Sequence, residues 1–353
     1  MSKEQEIKFL LEEVVKLDAT DLHLNVGKPP VLRINSKLVP IKESEILTSE
    51  HIAELILSLL REDQKAKLQK EREIDFSYNF ENRARFRINV YYQKGYLSAA
   101  LRLIPTKIRT IEELHLPSSL KEFTKPSQGF VLIVGPAGHG KTSVMAALVD
   151  IINHTRQAHI ITIEDPIEYV FTQDKCIISQ REVGIDTKSF HSGLRSMFRE
   201  DPDVVMIGEM RDPESIAAAV TSAETGHLVF ASLHTNTAAQ TIDRIIDSFP
   251  PYQQNQIKVQ LAATLLGIIS RRLLPTTKAG LTSACEILIA NSAVRNLIRE
   301  GKTHQIDLVI ETSADQGMVS LNKSLIELIK RKEISLETAE KYSSNPLELR
   351  NLL

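Results

Sequence analysis

Residues 130–142 read FVLIVGPAGHGKT, a short apolar run that breaks into a glycine loop and then into helix-forming sequence. Gly135-Pro136-Ala137-Gly138-His139-Gly140-Lys141-Thr142 fits the pattern G-x-x-x-x-G-K-[ST], and Ser143 follows it. The glycines let successive backbone N–H groups point inward at a helix N-terminus, which makes an anion nest. Lys141 is then placed to meet the β- and γ-phosphates, and Thr142 to ligate Mg2+. A strand before the loop and a helix from about 141 to 153 supply the context the motif needs. A nucleoside triphosphate is therefore the expected ligand, with Mg2+ beside it.

Further short apolar runs lie at 159–163, 204–207 and 228–232, with helical segments between them, notably 216–224 and 238–247. Buried strands alternating with helices predict a parallel sheet covered on both faces, an α/β fold. Residues 256–274 and 291–300 read as helical, and 319–350 as two or three helices more.

Two of these strands end in carboxylates. HIITI runs into Glu164-Asp165-Pro166, and VVMI into Gly208-Glu209. Ligands of parallel sheets sit outside the carboxyl ends of the strands, so both glutamates are candidates to position or deprotonate water at the γ-phosphate. Gly208 stands where an Asp usually holds the Mg2+ shell, which leaves Glu209 for the metal shell, the water, or both. Either glutamate fits the general base. Residues 225–235, TGHLVFASLHT, put His227 and His234 at opposite ends of an apolar strand, facing opposite ways. His234, at the carboxyl end, can sense phosphate. Both also fit hydrogen-bonded structural roles.

The segment before this block has another rhythm. A helix is expected over about 4–17, a strand at DLHLNVG, a turn at 27–30 and a hairpin over 31–41. Helical spacing returns over 49–70, then two strands, RARFRINVYYQ and YLSAALRLI, meet at Lys94-Gly95 and end at Pro105. Residues 108–129 carry linker-like breakers, which places a boundary near residue 120: domains 1–120 and 121–353. Arg83, Arg85 and Arg87 alternate along one strand face, with Arg102 on the next strand. They form either a solvated basic face or arginine fingers.

Composition narrows the classes. The 43 Lys and Arg nearly balance 45 Asp and Glu, so a polyanion-coating protein is not expected and no nucleic-acid partner is implied. Cys176 and Cys285 are the two cysteines, too few for a disulfide framework or a four-cysteine zinc module. The N-terminus lacks a signal-like apolar run, and residues 261–269, the longest nearly apolar stretch, are too short to span a bilayer. A soluble, cytoplasmic protein of two domains is expected.

Beyond the phosphate loop, six stretches resemble one family, the PilT-type motors of the secretion ATPase superfamily. DATDLHLNVGKPPVLRINSKL is similar to its opening strand block. ITIEDPIEYVF resembles its acidic Asp box, FREDPDVVMIGEMRDPESI its Walker B segment, and residues 225–250 its His box. AVRNLIREGKTHQI and GMVSLNKSLIELIKRKEIS resemble the retraction branch. The resemblance implies a PAS-like α+β N-terminal domain followed by a RecA-like P-loop ATPase domain, assembled as a homo-hexamer. It implies Arg87 and Arg102 as arginine fingers, Glu164 as the Asp-box glutamate, Glu209 as the Walker B glutamate, and His227 and His234 as the His-box pair. It further implies ATP hydrolysis driving type IV pilus retraction and twitching motility, from peripheral docking at the cytoplasmic face of the inner membrane. The implied partners are a pilus platform protein and a paralogous retraction or assembly ATPase. A pilus-assembly or type II secretion ATPase, a helicase and a non-hydrolysing regulator are the rival readings. Ala137, His139 and Thr142-Ser143 depart from the family loop GPTGSGKST, and Pro213 stands where leucine is more usual.

Overall fold

A computed structural model describes residues 3–34, 37–41, 44–81, 83–104, 107–278 and 280–353. The hairpin tip at 35–36 and the strand-ending role expected of Pro105 lie outside the described residues. The chain divides into two compact units: Met1–Lys107 with Pro166–Val170, and Ile108–Asp165 with Phe171–Leu353. The stretch 108–129 thus begins inside the second unit.

The first unit opens with α1 (Lys3–Lys16), whose Ile7, Leu10, Leu11 and Val14 recur at helical spacing and are buried. Strands β1 (Asp21–Leu24), β2 (Val31–Ile34) and β3 (Lys37–Pro40) follow. The helix expected over 49–70 is two: α2 (Ser49–Leu59) and α3 (Glu62–Glu71). Leu60 turns extended at φ −95°, and Arg61 starts the second helix, its backbone N–H donating to Gln64 Oε1 at 3.0 Å. Strands β4 (Glu73–Phe80), β5 (Ala84–Gln93) and β6 (Tyr96–Ile104) complete an antiparallel sheet in the order β3-β2-β1-β6-β5-β4. Along β5 the alternation is physical: Ala84, Phe86, Ile88 and Val90 are buried against the helices. Arg85 and Arg87 therefore share the other face.

In the second unit a 3-10 turn (Ser118–Thr124) leads to β7 (Gly129–Val134), α4 (Lys141–Thr155) and β8 (His159–Glu164). Then come β9 (Ile177–Glu182), α5 (Phe190–Met197), β10 (Val204–Ile207) and α6 (Pro213–Glu224). Pro213 sits in the first turn of α6, where its missing N–H has no helical partner to lose, and Asp212 caps it. The unit continues with β11 (Leu228–Leu233), α7 (Ala238–Asp247), α8 (Pro251–Thr264), β12 (Leu265–Pro275) and β13 (Leu281–Ile289). Helices α9 (Ser292–Glu300), α10 (Ile306–Thr312), α11 (Leu321–Lys330), α12 (Leu336–Tyr342) and α13 (Pro346–Asn351) close it.

The sheet order is β13-β12-β7-β11-β10-β8-β9, parallel from β12 to β9. Two expectations are corrected here. The helix expected through 274 ends at Thr264, and residues 265–275 form a strand between β7 and β13. A buried apolar run does not declare its period, and the ladders on both sides decide it. The sheet is also not wholly parallel, because β13 folds back antiparallel on β12. Strands β7, β10 and β11 are buried throughout, which explains their unbroken apolar reading.

Candidate active site

The phosphate loop joins β7 to α4 at the carboxyl edge of the sheet. Gly135 (φ 143°) and Gly140 (φ 75°) have the positive angles that glycine adopts without strain. A β-carbon at either position would lie 2.4 Å from an atom of Arg271, its carbonyl oxygen at Gly135 and Nη1 at Gly140. Gly140 is the N-cap of α4, so the first helical N–H groups face the loop's mouth. Lys141 is buried; its Nζ donates to Gly135 O at 3.0 Å and Pro136 O at 3.1 Å.

From that lysine a polar chain runs across the strand ends. Lys141 Nζ lies 3.2 Å from His234 Nδ1, and His234 Nε2 lies 3.2 Å from Glu209 Oε2. The other Glu209 oxygen is ion-paired with Arg211. That hydrogen bond holds the Arg211 guanidinium above its usual pKa. Ser232 Oγ donates to Gly208 O at 2.6 Å, and Met210 N to Ser232 O at 3.0 Å, which fixes the backbone on both sides of Glu209. Glu164 is buried at the end of the neighbouring strand. Its Oε1 accepts from Thr162 Oγ1 at 2.6 Å and Gln180 Nε2 at 3.1 Å. Gly208 packs on this residue: a β-carbon there would stand 3.3 Å from Glu164 Cα. An aspartate at 208 would have to displace that backbone.

The structure brings Lys141, His234 and Glu209 together and leaves His227 at the far end of β11. There His227 Nδ1 lies 2.9 Å from Ser222 O, and its ring meets Phe198 edge-on at 6.0 Å. His139 points sideways from the loop, its Nδ1 accepting from Leu273 N at 3.0 Å. Burial, and then the charges of Arg272, Lys141 and Arg271, press its pKa below the usual 6.5. A 460 Å³ cleft opens beside Arg211, lined also by Lys188, Ser189, Phe190, His191 and Asp212.

In the first unit, Arg87 and Arg102 are direct cross-strand partners on β5 and β6. Like charges so placed repel, and each has an aspartate to offset this. Arg102 Nε donates to Asp21 Oδ1 at 2.8 Å, and Arg87 Nε lies 3.7 Å from Asp75 Oδ1. Arg83 instead pairs with Glu12 on α1.

Arg271, Ser283 and Arg211 are absent from the sequence-derived site. An Arg271-Arg272 pair inside the apolar run LLGIISRRLLP is itself a signal, since a charge between buried residues needs a built partner. Reading that run as a helix hides it.

A phosphate nest on a parallel sheet, with carboxylates at the adjacent strand ends, defines a P-loop nucleoside-triphosphatase. The model of the family "Type II/IV secretion system protein" matches residues 2–346. The chain is 40% identical over 341 residues to the type IV pilus retraction ATPase PilT of Pseudomonas aeruginosa, covering 97% of this chain and 99% of that one. It is 42% identical over 317 residues to the twitching motility protein of Neisseria gonorrhoeae, covering 90% of this chain and 84% of that one. A crystal structure of the pilus retraction motor PilT with bound ADP superposes with a TM-score of 0.91 at 44% identity, covering 98% of this chain and 99% of the other. The chain belongs to the type II/IV secretion system protein family, as a PilT-type ATPase within it.

Proposed function

We propose that this chain is the ATP-hydrolysing motor of type IV pilus retraction and twitching motility. The observation that carries hydrolysis is the Lys141–His234–Glu209 chain, which ties the phosphate-loop lysine to the strand-end carboxylate. The retraction assignment is supported by relatives matched along nearly their whole length.

In the reaction the oxygen of water bonds to the γ-phosphorus as the bond to the ADP oxygen breaks, giving ADP, phosphate and a proton. Lys141 turns from the Gly135 and Pro136 carbonyls to the phosphates. Glu209 orients the water and receives its proton, because it is the more exposed of the two carboxylates and is linked through His234 to Lys141, whereas Glu164 is buried on Thr162 and Gln180. Glu164 acts behind it as a positioning group. His234 spans Lys141 and Glu209, so loss of the γ-phosphate charge is felt at both. Hard oxygen donors, Thr142 with Glu209 through water, fit Mg2+. When bound, Mg2+ neutralises charge on the β- and γ-oxygens. Arg87 and Arg102 are the proposed arginine fingers, and His227 a His-box residue acting away from the phosphate loop. The first unit corresponds to the PAS-like domain and the second to the RecA-like one, in a homo-hexamer docked on a membrane platform protein. No helix among the described residues is long and apolar enough to cross a membrane.

Phosphate release by wild type, Glu209→Gln and Lys141→Ala tests the chemistry. Losses on the order of 100-fold or more are expected, and equal rates overturn it. Deletion of the gene should leave excess, non-retracting pili and abolish twitching; bald cells would point to assembly instead.

A further inference from the structure

β12 passes beside the phosphate loop, and one of its residues meets the loop at both ends. The Arg271 carbonyl lies against Gly135, and Arg271 Nη1 donates to Gly140 O at 2.8 Å. The side chain is 4% exposed, so none of this is a surface contact. The other edge of the guanidinium, Nε and Nη2, donates to Ser283 Oγ at 3.1 and 2.8 Å. Ser283 Oγ donates in turn to Leu114 O at 3.0 Å. A hydroxyl has one proton and two acceptor sites, and these bonds use all three.

Leu114 belongs to the stretch that carries the chain from the first unit into the ATPase sheet. It is held in a turn by Leu114 N→Thr110 O and Leu116 N→Ile111 O, both 3.0 Å, with Ile111 fully buried. The peptide plane that presents Gly140 O presents the Lys141 N–H on its opposite side. A grip on the oxygen therefore aims the amide that faces the phosphate. A planar fork reaches two separate acceptors in fixed directions, and an ammonium does not reproduce that geometry. His139, accepting from Leu273 N two residues further along β12, ties the loop to the same strand.

We infer that Arg271 is a positioning residue for the phosphate loop, and that the hydrogen-bonded chain Gly140–Arg271–Ser283–Leu114 couples the loop's geometry to the seat of residues 108–116. The inference rests on the ATPase reading. Nucleotide that turns the 140–141 peptide pulls on Leu114, and by linkage a displaced Leu114 alters nucleotide affinity by the same factor.

The test uses the full chain with two readouts: steady-state hydrolysis against MgATP concentration, and hydrogen exchange of amides 108–116 with and without ADP. In wild type, ADP slows exchange there. In Ser283→Ala, which removes the acceptor of both Arg271 bonds and the donor to Leu114, KM rises on the order of tenfold while kcat stays within about threefold. The ADP-dependent slowing disappears. Ser283→Thr, which keeps the hydroxyl, restores both. A wild-type KM in Ser283→Ala overturns the inference, and so does retained ADP-dependent slowing. If circular dichroism finds Ser283→Ala unfolded, Arg271→Lys is judged by the same two criteria. A wild type that hydrolyses no ATP overturns the ATPase reading instead, and the ADP exchange readout still decides the coupling.

Discussion

Glu286 offers a pH-dependent stability that can be worked through in numbers. It sits on β13, 7% exposed, and its Oε1 accepts from Ala238 N at 2.7 Å at the start of α7. Burial pushes its carboxyl up from 4.5 to about 7, against the pull of the Ala238 N–H; Asp307 adds to the rise and Arg272 opposes it. The folded value lies above the unfolded one. Its stabilising effect is therefore complete below about pH 4.5 and is lost as pH rises through about 7. By linkage the penalty grows by on the order of 2 kcal/mol between about pH 5.5 and about pH 8.5. Glu286→Gln keeps the acceptor for Ala238 and has no charge to bury. For a unit of this size, about 2–4 °C per kcal/mol applies. The melting-temperature advantage of the variant should then grow by roughly 4–8 °C between those two pH values. Circular dichroism melts of both proteins at one scan rate measure it. An advantage that stays flat with pH would refute the assignment of the charge penalty to this residue.

Three further outcomes are expected. His139→Ser probes the opposite sign: the His139 value is depressed, so its contribution is present above about pH 6.5 and lost as pH falls below it. The wild type should lose thermal stability relative to the variant on acidification, and a pH-independent difference would sink the assignment. His234→Ala removes the link between Lys141 and Glu209 and should lower kcat on the order of 10- to 100-fold in phosphate release, with KM nearly unchanged. A KM-only effect would make His234 a binding group. Cys285, its thiol pushed up to about 12 by burial, and buried Cys176, also raised by burial, should resist a thiol reagent in the native chain and react on unfolding. Rapid native labelling would contradict the packing around both.

Much of the candidate site is legible in the sequence because its requirements are local. Gly135 to Thr142 must follow one another for a nest to form, so the loop announces itself in eight letters. Glu164 and Glu209 are candidates on the same ground, the first ending the strand that begins at His159 and the second two positions past Ile207. From the residues alone Arg87 belongs to an alternating face and Arg102 to the next strand; the β5–β6 register sets them directly opposite each other. His227 and His234 look equivalent in sequence, and only the strand direction separates them, placing His234 beside Lys141 and His227 beside Ser222. The run 265–275 fails as a sequence reading because an apolar segment between two ladders carries no period of its own.

By itself, the order of residues determined the phosphate loop, its carboxylates and an α/β architecture, because nests, strand ends and amphipathic faces depend on neighbours within a few positions. Tertiary structure decided what depends on distant partners. It made 265–275 a strand, set His234 between Lys141 and Glu209, and seated Arg271 against both ends of a loop 131 positions away. Those contacts exist only once sheet order fixes which strand lies beside the loop, and no local spacing records that order.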